Sequence, residues 1–133
     1  MDTPADRVVI LVVEDDPHVS DLLFNVLTDE GYEVMTAESG EQALTTITTV
    51  RPDLITLDLD LPGLAGAAIL AELRRRDETR ELPVVIVSAK RRIPSAVREL
   101  AQAIVPKPFD IDDLVALIRG LVPPPDRAAT DRA

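Results

Sequence analysis

The sequence contains no cysteine and no tryptophan, and aromatic residues make up only 2% of its 133 residues. Without cysteine the chain can form no disulfide, no thiolate metal site and no thiol nucleophile. The scarcity of aromatic residues means that the core must be built from aliphatic side chains. A sequence without cysteine also suits a reducing cytoplasm, which is where we expect the protein to act.

Basic residues are also few, since 14 Lys and Arg stand against 24 Asp and Glu and give a net charge of −10. Such an acidic surface repels phosphate groups, so we expect no direct binding to nucleic acid or to an anionic membrane. The longest apolar run, residues 8–13, is far too short to span a bilayer. The length suits one domain. We expect an N-terminal extension at residues 1–6, a folded domain at 7–122 and a flexible proline-rich tail at 123–133.

Five short apolar runs alternate along the chain with five segments of helical pattern. The predicted strands are residues 8–13, 32–37, 54–57, 84–87 and 103–105, and the predicted helices begin near Pro17, Ser39, Ala67, Ser95 and Asp110. We expect the third helix to run to residue 76 and the fourth to residue 101. The pattern predicts an α/β fold: a doubly wound, flavodoxin-like, five-stranded parallel sheet in the order 2-1-3-4-5, with helices on both faces. Residues 45–49 are β-branched and disfavour the second helix.

Polar residues follow four of the five predicted strands: Glu14 and Asp15 after the first, Asp58 after the third, Ser88 after the fourth and Lys107 after the fifth. In a parallel sheet these positions share one edge, where ligands bind near the switch in strand order. Grouped carboxylates repel one another unless a cation neutralises them, and Mg²⁺ prefers such oxygen ligands. A lysine and a hydroxyl beside them suit a phosphoryl group, which an aspartate can accept as a nucleophile.

The chain resembles the receiver domain of response regulators in two-component signalling. The resemblance covers roughly residues 7–122 and depends on four motifs, at residues 10–16, 53–63, 84–89 and 107–109. Each motif alone is weak, but the four stand in the expected order at the ends of the expected strands. The resemblance implies a phosphorylation-dependent switch and not a turnover enzyme, acting as a monomer or weak dimer on an unidentified downstream protein.

The resemblance assigns the acidic residues to phosphate acceptance and to metal binding. Asp58 would take a phosphoryl group from the phosphohistidine of a sensor histidine kinase or of a phosphotransfer protein. Asp15 and Asp58 would bind Mg²⁺, with Glu14 acting mainly through water. The backbone carbonyl of Asp60 would be a further metal ligand.

The resemblance also implies roles for the ends of the fourth and fifth strands. Lys107 would hold a phosphoryl oxygen, and the bond between Lys107 and Pro108 would be cis. Ser88, followed in its motif by Ala89, would shift towards the phosphoryl group on activation. Ile104 departs from the family, because receivers commonly carry Tyr or Phe at that position to complete the switch.

Other departures concern the segment between Ser88 and Lys107, which are 19 positions apart, a few fewer than is common in receivers. We therefore expect phosphorylation to move the loop and helix of residues 90–100 and not the side chain of Ile104. Asp60 and Lys90 carry opposite charges, and each lies two positions beyond a motif residue. We expect them to form an ion pair across the mouth of the site that controls the attacking water.

Other interpretations of the same residues remain open. Asp58 and Asp60 also fit the motif of haloacid-dehalogenase phosphatases, in which the first Asp is the nucleophile and the second the general acid. The domain could instead be a binding scaffold that is never phosphorylated. Residues 14–16 could be ordinary acids before a helix, with Asp16 as its cap. The basic run at residues 74–76 is interpreted as the solvated end of a helix.

Overall fold

The computed structural model describes residues 7–61 and 65–125, within which five strands alternate with five helices. In chain order they are β1 (Val9–Val13), α1 (Pro17–Asp29), β2 (Glu33–Ala37), α2 (Gly40–Val50), β3 (Leu54–Leu57), α3 (Gly66–Arg75), β4 (Val84–Ser88), α4 (Ser95–Arg98), β5 (Ala103–Pro106) and α5 (Ile111–Leu121). Residues 1–6, 62–64 and 126–133 lie outside this description. The expected extension, most of the expected tail and the last two residues of the motif at 53–63 therefore fall outside the described residues, and the domain boundaries stay a prediction.

The sheet is parallel and has the order β2-β1-β3-β4-β5, which confirms the predicted topology. In the register, Val13 at the end of β1 lies beside Ala37 of β2 and Leu57 of β3. The amide of Asp58 continues this ladder, donating to the carbonyl of Val13 at 3.0 Å. The chain therefore leaves β1 and β3 side by side, which places the residues after them close together.

Alternate residues of the central strands pack on opposite faces of the sheet, so these strands are buried on both sides. One face packs against α2 and α3 and includes Leu11, Ile55 and Ile86. The other face packs against α1 and α5 and includes Ile10, Leu54 and Val85. The core is almost entirely aliphatic, as the shortage of aromatic residues requires. Within the described part of the chain, no helix combines the length and the apolar character needed to cross a membrane.

Side-chain caps begin α1, α2 and α5. Asp16 caps α1, and its carboxylate accepts from the amide of His18 at 2.9 Å. Ser39 caps α2 by accepting from the amide of Gln42 at 3.2 Å. Asp110 caps α5 in the same way. These caps occupy backbone N–H groups that have no partner within the helix.

The threonine hydroxyls of α2 find hydrogen-bond partners within the helix itself. Each of four hydroxyls donates to the backbone carbonyl four residues earlier, at 2.9 to 3.1 Å; they belong to Thr45, Thr46, Thr48 and Thr49. A threonine hydroxyl bonded in this way is compatible with the helix, although the bond does not add to its backbone ladder. The helix ends at Arg51, which adopts the left-handed conformation with φ of 57°.

Two sequence expectations, at the ends of α3 and α4, are corrected. The fourth helix ends at Arg98 instead of residue 101, and Arg74 is not a solvated residue at a helix end. The Arg74 guanidinium donates to the carbonyls of Thr79, Arg80 and Leu100 at 2.9 to 3.0 Å and to the side-chain oxygen of Gln102 at 3.1 Å. Arg74 thereby ties the end of α3 to the turn that leads into β5.

Candidate functional site

Three carboxylates meet where β1 and β3 end. Carboxylate oxygens of Glu14, Asp15 and Asp58 all lie within 4.8 Å of one another. Glu14 is only 3% exposed and Asp58 only 5%, whereas Asp15 is exposed. The sequence predicted this grouping, and the register of β1 against β3 produces it. Two buried carboxylates so close together repel each other unless one is protonated or a cation lies nearby.

Lys107 supplies that cation within the chain itself. Its Nζ lies 2.7 Å from Oε1 of Glu14 and 3.1 Å from Oδ2 of Asp58, and its side chain is only 19% exposed. The amide of Lys107 donates to the carbonyl of Ser88 at 2.9 Å, which fixes where the side chain starts. The Lys107–Pro108 bond is cis, as the sequence resemblance implied. Lys107 thus lies between the two carboxylates and is not a solvated surface lysine.

Burial and charge act in opposite directions on these groups. Burial raises the pKa of Glu14, and the charge of Asp58 adds to this rise, while the hydrogen bond from Lys107 opposes it. Burial alone would lower the pKa of Lys107, but the hydrogen bonds to Glu14 and Asp58 outweigh it and raise that pKa above its usual value. The ammonium group therefore stays charged, ready to attract an anion.

The second oxygen of each buried carboxylate is held by the backbone. The amide of Asp16 donates to Oε2 of Glu14 at 3.1 Å, and the amide of Asp60 donates to Oδ1 of Asp58 at 2.9 Å. Each carboxylate therefore has one partner in the backbone and shares Lys107 as the other. This arrangement orients both groups before any ligand arrives.

Ser88 and the loop after it form the neighbouring part of the site. Ser88 is 1% exposed, and its hydroxyl oxygen accepts from the amide of Lys90 at 3.1 Å. Lys90 Nζ lies 3.4 Å from Oδ1 of Asp60, with the two side chains 48% and 53% exposed. The ion pair expected between these two residues is therefore present, at the solvent-facing side of the cluster. Ala89 lies between Ser88 and Lys90 and is exposed.

Ile104 lies on the edge strand β5 beside Ile86 of β4. Its side chain is partly buried and packs against the core cluster on the α2 and α3 face of the sheet. The structure therefore places Ile104 in the packing of the domain, with no ring that could turn. Pro108, at the end of the last motif, is exposed.

Sequence reasoning did not assign a role at the site to Gly66, the first residue of α3. A side chain there would collide with the backbone of Asp58 and Leu59. In the sequence, Gly66 is a glycine just before the predicted start of the third helix at Ala67, which does not reveal what the helix packs against.

The donor groups fit Mg²⁺. Carboxylate oxygens from Glu14, Asp15 and Asp58 form the all-oxygen set that this hard cation prefers, and the exposure of Asp15 leaves room for the waters that it retains. The chain also contains no cysteine, so thiolate ligands cannot compete. A metal held here would share the two buried carboxylates with Lys107.

Comparison with known proteins agrees with the family resemblance found in the sequence. The sequence model of one protein family, described as the response regulator receiver domain, matches residues 10–119. The DNA-binding response regulator MtrA of Mycolicibacterium smegmatis is 40% identical over 122 residues, which are 90% of this chain and 51% of MtrA. The regulator RpaA of Synechocystis is 35% identical over 121 residues, 89% of this chain and 50% of RpaA. The chain therefore spans about half the length of these curated relatives.

Solved structures show the same similarity. The response regulator TrrA of Thermotoga maritima, solved in complex with Mg²⁺ and BeF, has 33% sequence identity and a TM-score of 0.79. The match covers 86% of this chain and 99% of TrrA. The fold described above is thus shared with a protein of similar sequence that was solved in complex with Mg²⁺ and BeF.

Proposed function

This chain belongs to the response regulator receiver domain family, and we propose that Asp58 is the residue that accepts its phosphoryl group. The observation that carries the proposal is the environment of Asp58. It is a nearly buried carboxylate, within 4.8 Å of two other carboxylates and in contact with a lysine. The donor would be the phosphohistidine of a sensor histidine kinase or of a phosphotransfer protein.

In the reaction, a carboxylate oxygen of Asp58 attacks the phosphorus of phosphohistidine. The new oxygen–phosphorus bond forms as the nitrogen–phosphorus bond breaks, and the electron pair and a proton remain on the histidine. The backbone amide of Asp60 fixes the orientation of the attacking carboxylate. Lys107 Nζ, already beside Asp58, then holds an oxygen of the transferred group.

Mg²⁺ bound at this site would neutralise the charge that develops on the phosphoryl oxygens. Asp15, Asp58 and the backbone carbonyl of Asp60 are the ligands that we propose, with Glu14 acting mainly through water. The contribution of this chain is to hold Glu14 and Asp58 in place through the backbone and Lys107, so that little rearrangement is needed when the donor arrives.

Ser88 would carry the signal onwards. Its hydroxyl oxygen now accepts a hydrogen bond from the amide of Lys90. If the hydroxyl turns towards the phosphoryl group, this bond weakens, and the loop that begins at Lys90 is released from the end of β4. The signal would then reach the short helix α4, and the binding of a downstream protein would change.

The domain is a phospho-acceptor of signalling, and we propose that it catalyses only its own phosphorylation and dephosphorylation. Because a sequence without cysteine suits a reducing compartment, we propose that it acts in the cytoplasm. The phosphatase interpretation is not favoured, since the family match covers most of the chain. Asp60, its general acid, is instead paired with Lys90.

Phosphorylation by a small donor tests the proposal. Acetyl phosphate with Mg²⁺ should add one phosphoryl mass to the intact protein and none to Asp58→Asn. Asp53→Asn is a matched control, because Asp53 lies just before β3, at the opposite end of the strand from Asp58, and it should be phosphorylated normally.

Each alternative has its own outcome in the same assay. Phosphorylation of Asp58→Asn would show that another residue is the acceptor. Continuous hydrolysis of a phosphomonoester would favour a phosphatase, and an unmodified wild-type protein would favour a binding scaffold.

A further inference from the structure

The start of α3 lies against the backbone that carries the acceptor. An ideal Cβ built on Gly66 would lie 2.6 Å from the carbonyl oxygen of Asp58 and 2.7 Å from Cα of Leu59. Both are backbone atoms, so no side-chain rotation can relieve the collision. The backbone of Gly66 is not in the left-handed region, since Gly31 is the glycine with positive φ among the described residues. Glycine is therefore required here for space and not for its conformational freedom.

Neither side of this contact can retreat easily. On one side, α3 is anchored in the core by Ile69, Leu70 and Leu73, all fully buried. On the other side, the amide of Asp58 is bonded to the carbonyl of Val13, which continues the central ladder of the sheet. An ordinary contact begins at 3.4 Å, so a methyl group at Gly66 would require a displacement of about 0.8 Å.

The β3 side of this contact is the segment just beyond the end of β3. That segment carries the Asp58 carboxylate, which must stay in reach of Lys107, and the amide of Asp60, which orients the carboxylate. Reacting groups need to be held within about 0.5 Å of the productive geometry. The displacement that a methyl group would force exceeds that tolerance.

We propose that Gly66 is a positioning residue for phosphorylation, and this proposal rests on the acceptor role of Asp58. By having no side chain, Gly66 lets α3 pack directly against the peptide between Asp58 and Leu59. The helix thereby acts as a fixed support that sets the distance of the acceptor carboxylate from Glu14, Asp15 and Lys107.

The test compares Gly66→Ala with Gly120→Ala, a matched control in the exposed part of α5 where a Cβ would have no neighbour within 4 Å. Two quantities are measured per folded molecule: the dissociation constant for Mn²⁺, used as a paramagnetic probe of the metal site, and the rate of phosphorylation by acetyl phosphate. Gly66→Ala should lose about ten- to a hundred-fold in rate, the effect expected of a misplacement near 1 Å, and it should bind Mn²⁺ more weakly. Gly120→Ala should match the wild type in both.

A double variant separates backbone displacement from side-chain crowding. The Cβ at Gly66 would also approach Cδ2 of Leu59 at 3.2 Å, and Leu59→Ala removes this atom but not the backbone atoms. Leu59→Ala combined with Gly66→Ala should therefore stay slow. Recovery of the wild-type rate in the double variant would overturn the proposal.

Folding of Gly66→Ala is followed by circular dichroism, with trimethylamine N-oxide added to favour the folded state where needed. A folded Gly66→Ala protein with wild-type rate and Mn²⁺ affinity would refute the role of Gly66 and leave the acceptor role of Asp58 intact. A variant that stays unfolded in the osmolyte would assign Gly66 to the stability of the fold and overturn the positioning role. Failure of the wild type to be phosphorylated would instead refute the acceptor role of Asp58, and the inference with it.

Discussion

Replacement of Asp15 by Asn tests the metal site with little disturbance to the fold. Asp15 is exposed, so the replacement leaves no buried group without a partner, yet its carboxylate belongs to the cluster with Glu14 and Asp58. Asp16→Asn is the matched control, since it removes the same charge from the adjacent position. Asn caps a helix about as well as Asp, so α1 should keep its cap.

The size of the effect follows from linkage between metal binding and folding. A ligand that binds only the folded state stabilises it by about 2.7 kcal/mol when its free concentration is 100 times the dissociation constant. Unfolding entropies of about 2.1 cal/mol/K per residue convert this to a rise of about 10 °C in melting temperature for a chain of 133 residues. Relief of repulsion between two nearly buried carboxylates, Glu14 and Asp58, is the physical source of the gain.

The assay is thermal unfolding followed by circular dichroism, with and without Mg²⁺ at constant ionic strength. Wild type and Asp16→Asn should both gain stability, and Asp15→Asn should gain little. A wild-type melting temperature that does not respond to Mg²⁺ would refute the metal site. A full response in Asp15→Asn would show that the metal is bound by a different set of residues.

Three further predictions concern the mouth of the site, the switch and a residue remote from both. Replacing both Asp60 and Lys90 with Ala should change the dephosphorylation rate far more than the melting temperature, because an exposed ion pair is worth under about 1 kcal/mol; equal phosphoryl lifetimes would contradict the gate. Amide exchange with and without BeF₃⁻ should change in residues 90–100, and a change confined to β5 around Ile104 would oppose the proposed route. Tyr32, whose hydroxyl donates to the carbonyl of Val122, should ionise near pH 12 because burial raises its pKa to about 12 from about 10. Because the folded state keeps Tyr32 protonated more strongly than the unfolded state does, this residue stabilises the fold fully below pH 10, and the stabilisation is lost as the pH rises through 12. A tyrosinate absorbance midpoint near 10 would contradict this prediction.

The position of the candidate site was predictable from the sequence because Glu14, Asp58 and Lys107 each come directly after the last residue of a strand. Apolar runs at β1 and β3 end abruptly in acids, and a parallel sheet brings all such ends to one edge. The contact between Glu14, Asp58 and Lys107 then needs only the strand order, which few right-handed topologies satisfy. The pair of Asp60 and Lys90 was predictable for the same reason, since both lie two positions beyond a motif residue.

Contacts that depend on side-chain reach across several elements were not predictable. Arg74 looked like part of a solvated basic run, because nothing near it in the sequence shows that Leu100 and Gln102 return to the end of α3. Local propensity likewise could not show that the threonine hydroxyls of α2 bond within their own helix. Gly66 shows the same limit, since the atoms that exclude a side chain there belong to β3 and its exit and not to α3.

The same contacts support the proposal that the loop after β4 responds to phosphorylation. Ile104 is held in the sheet beside Ile86 and packs against the core, so its movement would disturb both. The end of β5 is tied to β4 by the bond from the Lys107 amide to the Ser88 carbonyl, so Lys107 can follow a phosphoryl oxygen only with its side chain. Lys90, in contrast, is held at the site by one bond to the Ser88 hydroxyl and by one exposed ion pair. In the proposed switch, a turn of Ser88 towards the phosphoryl group would remove the first, and the added negative charge near Asp58 would compete for the second. Both contacts of Lys90 would therefore weaken in the same chemical event, which would free the start of the loop up to Ile93, where the chain packs into the core.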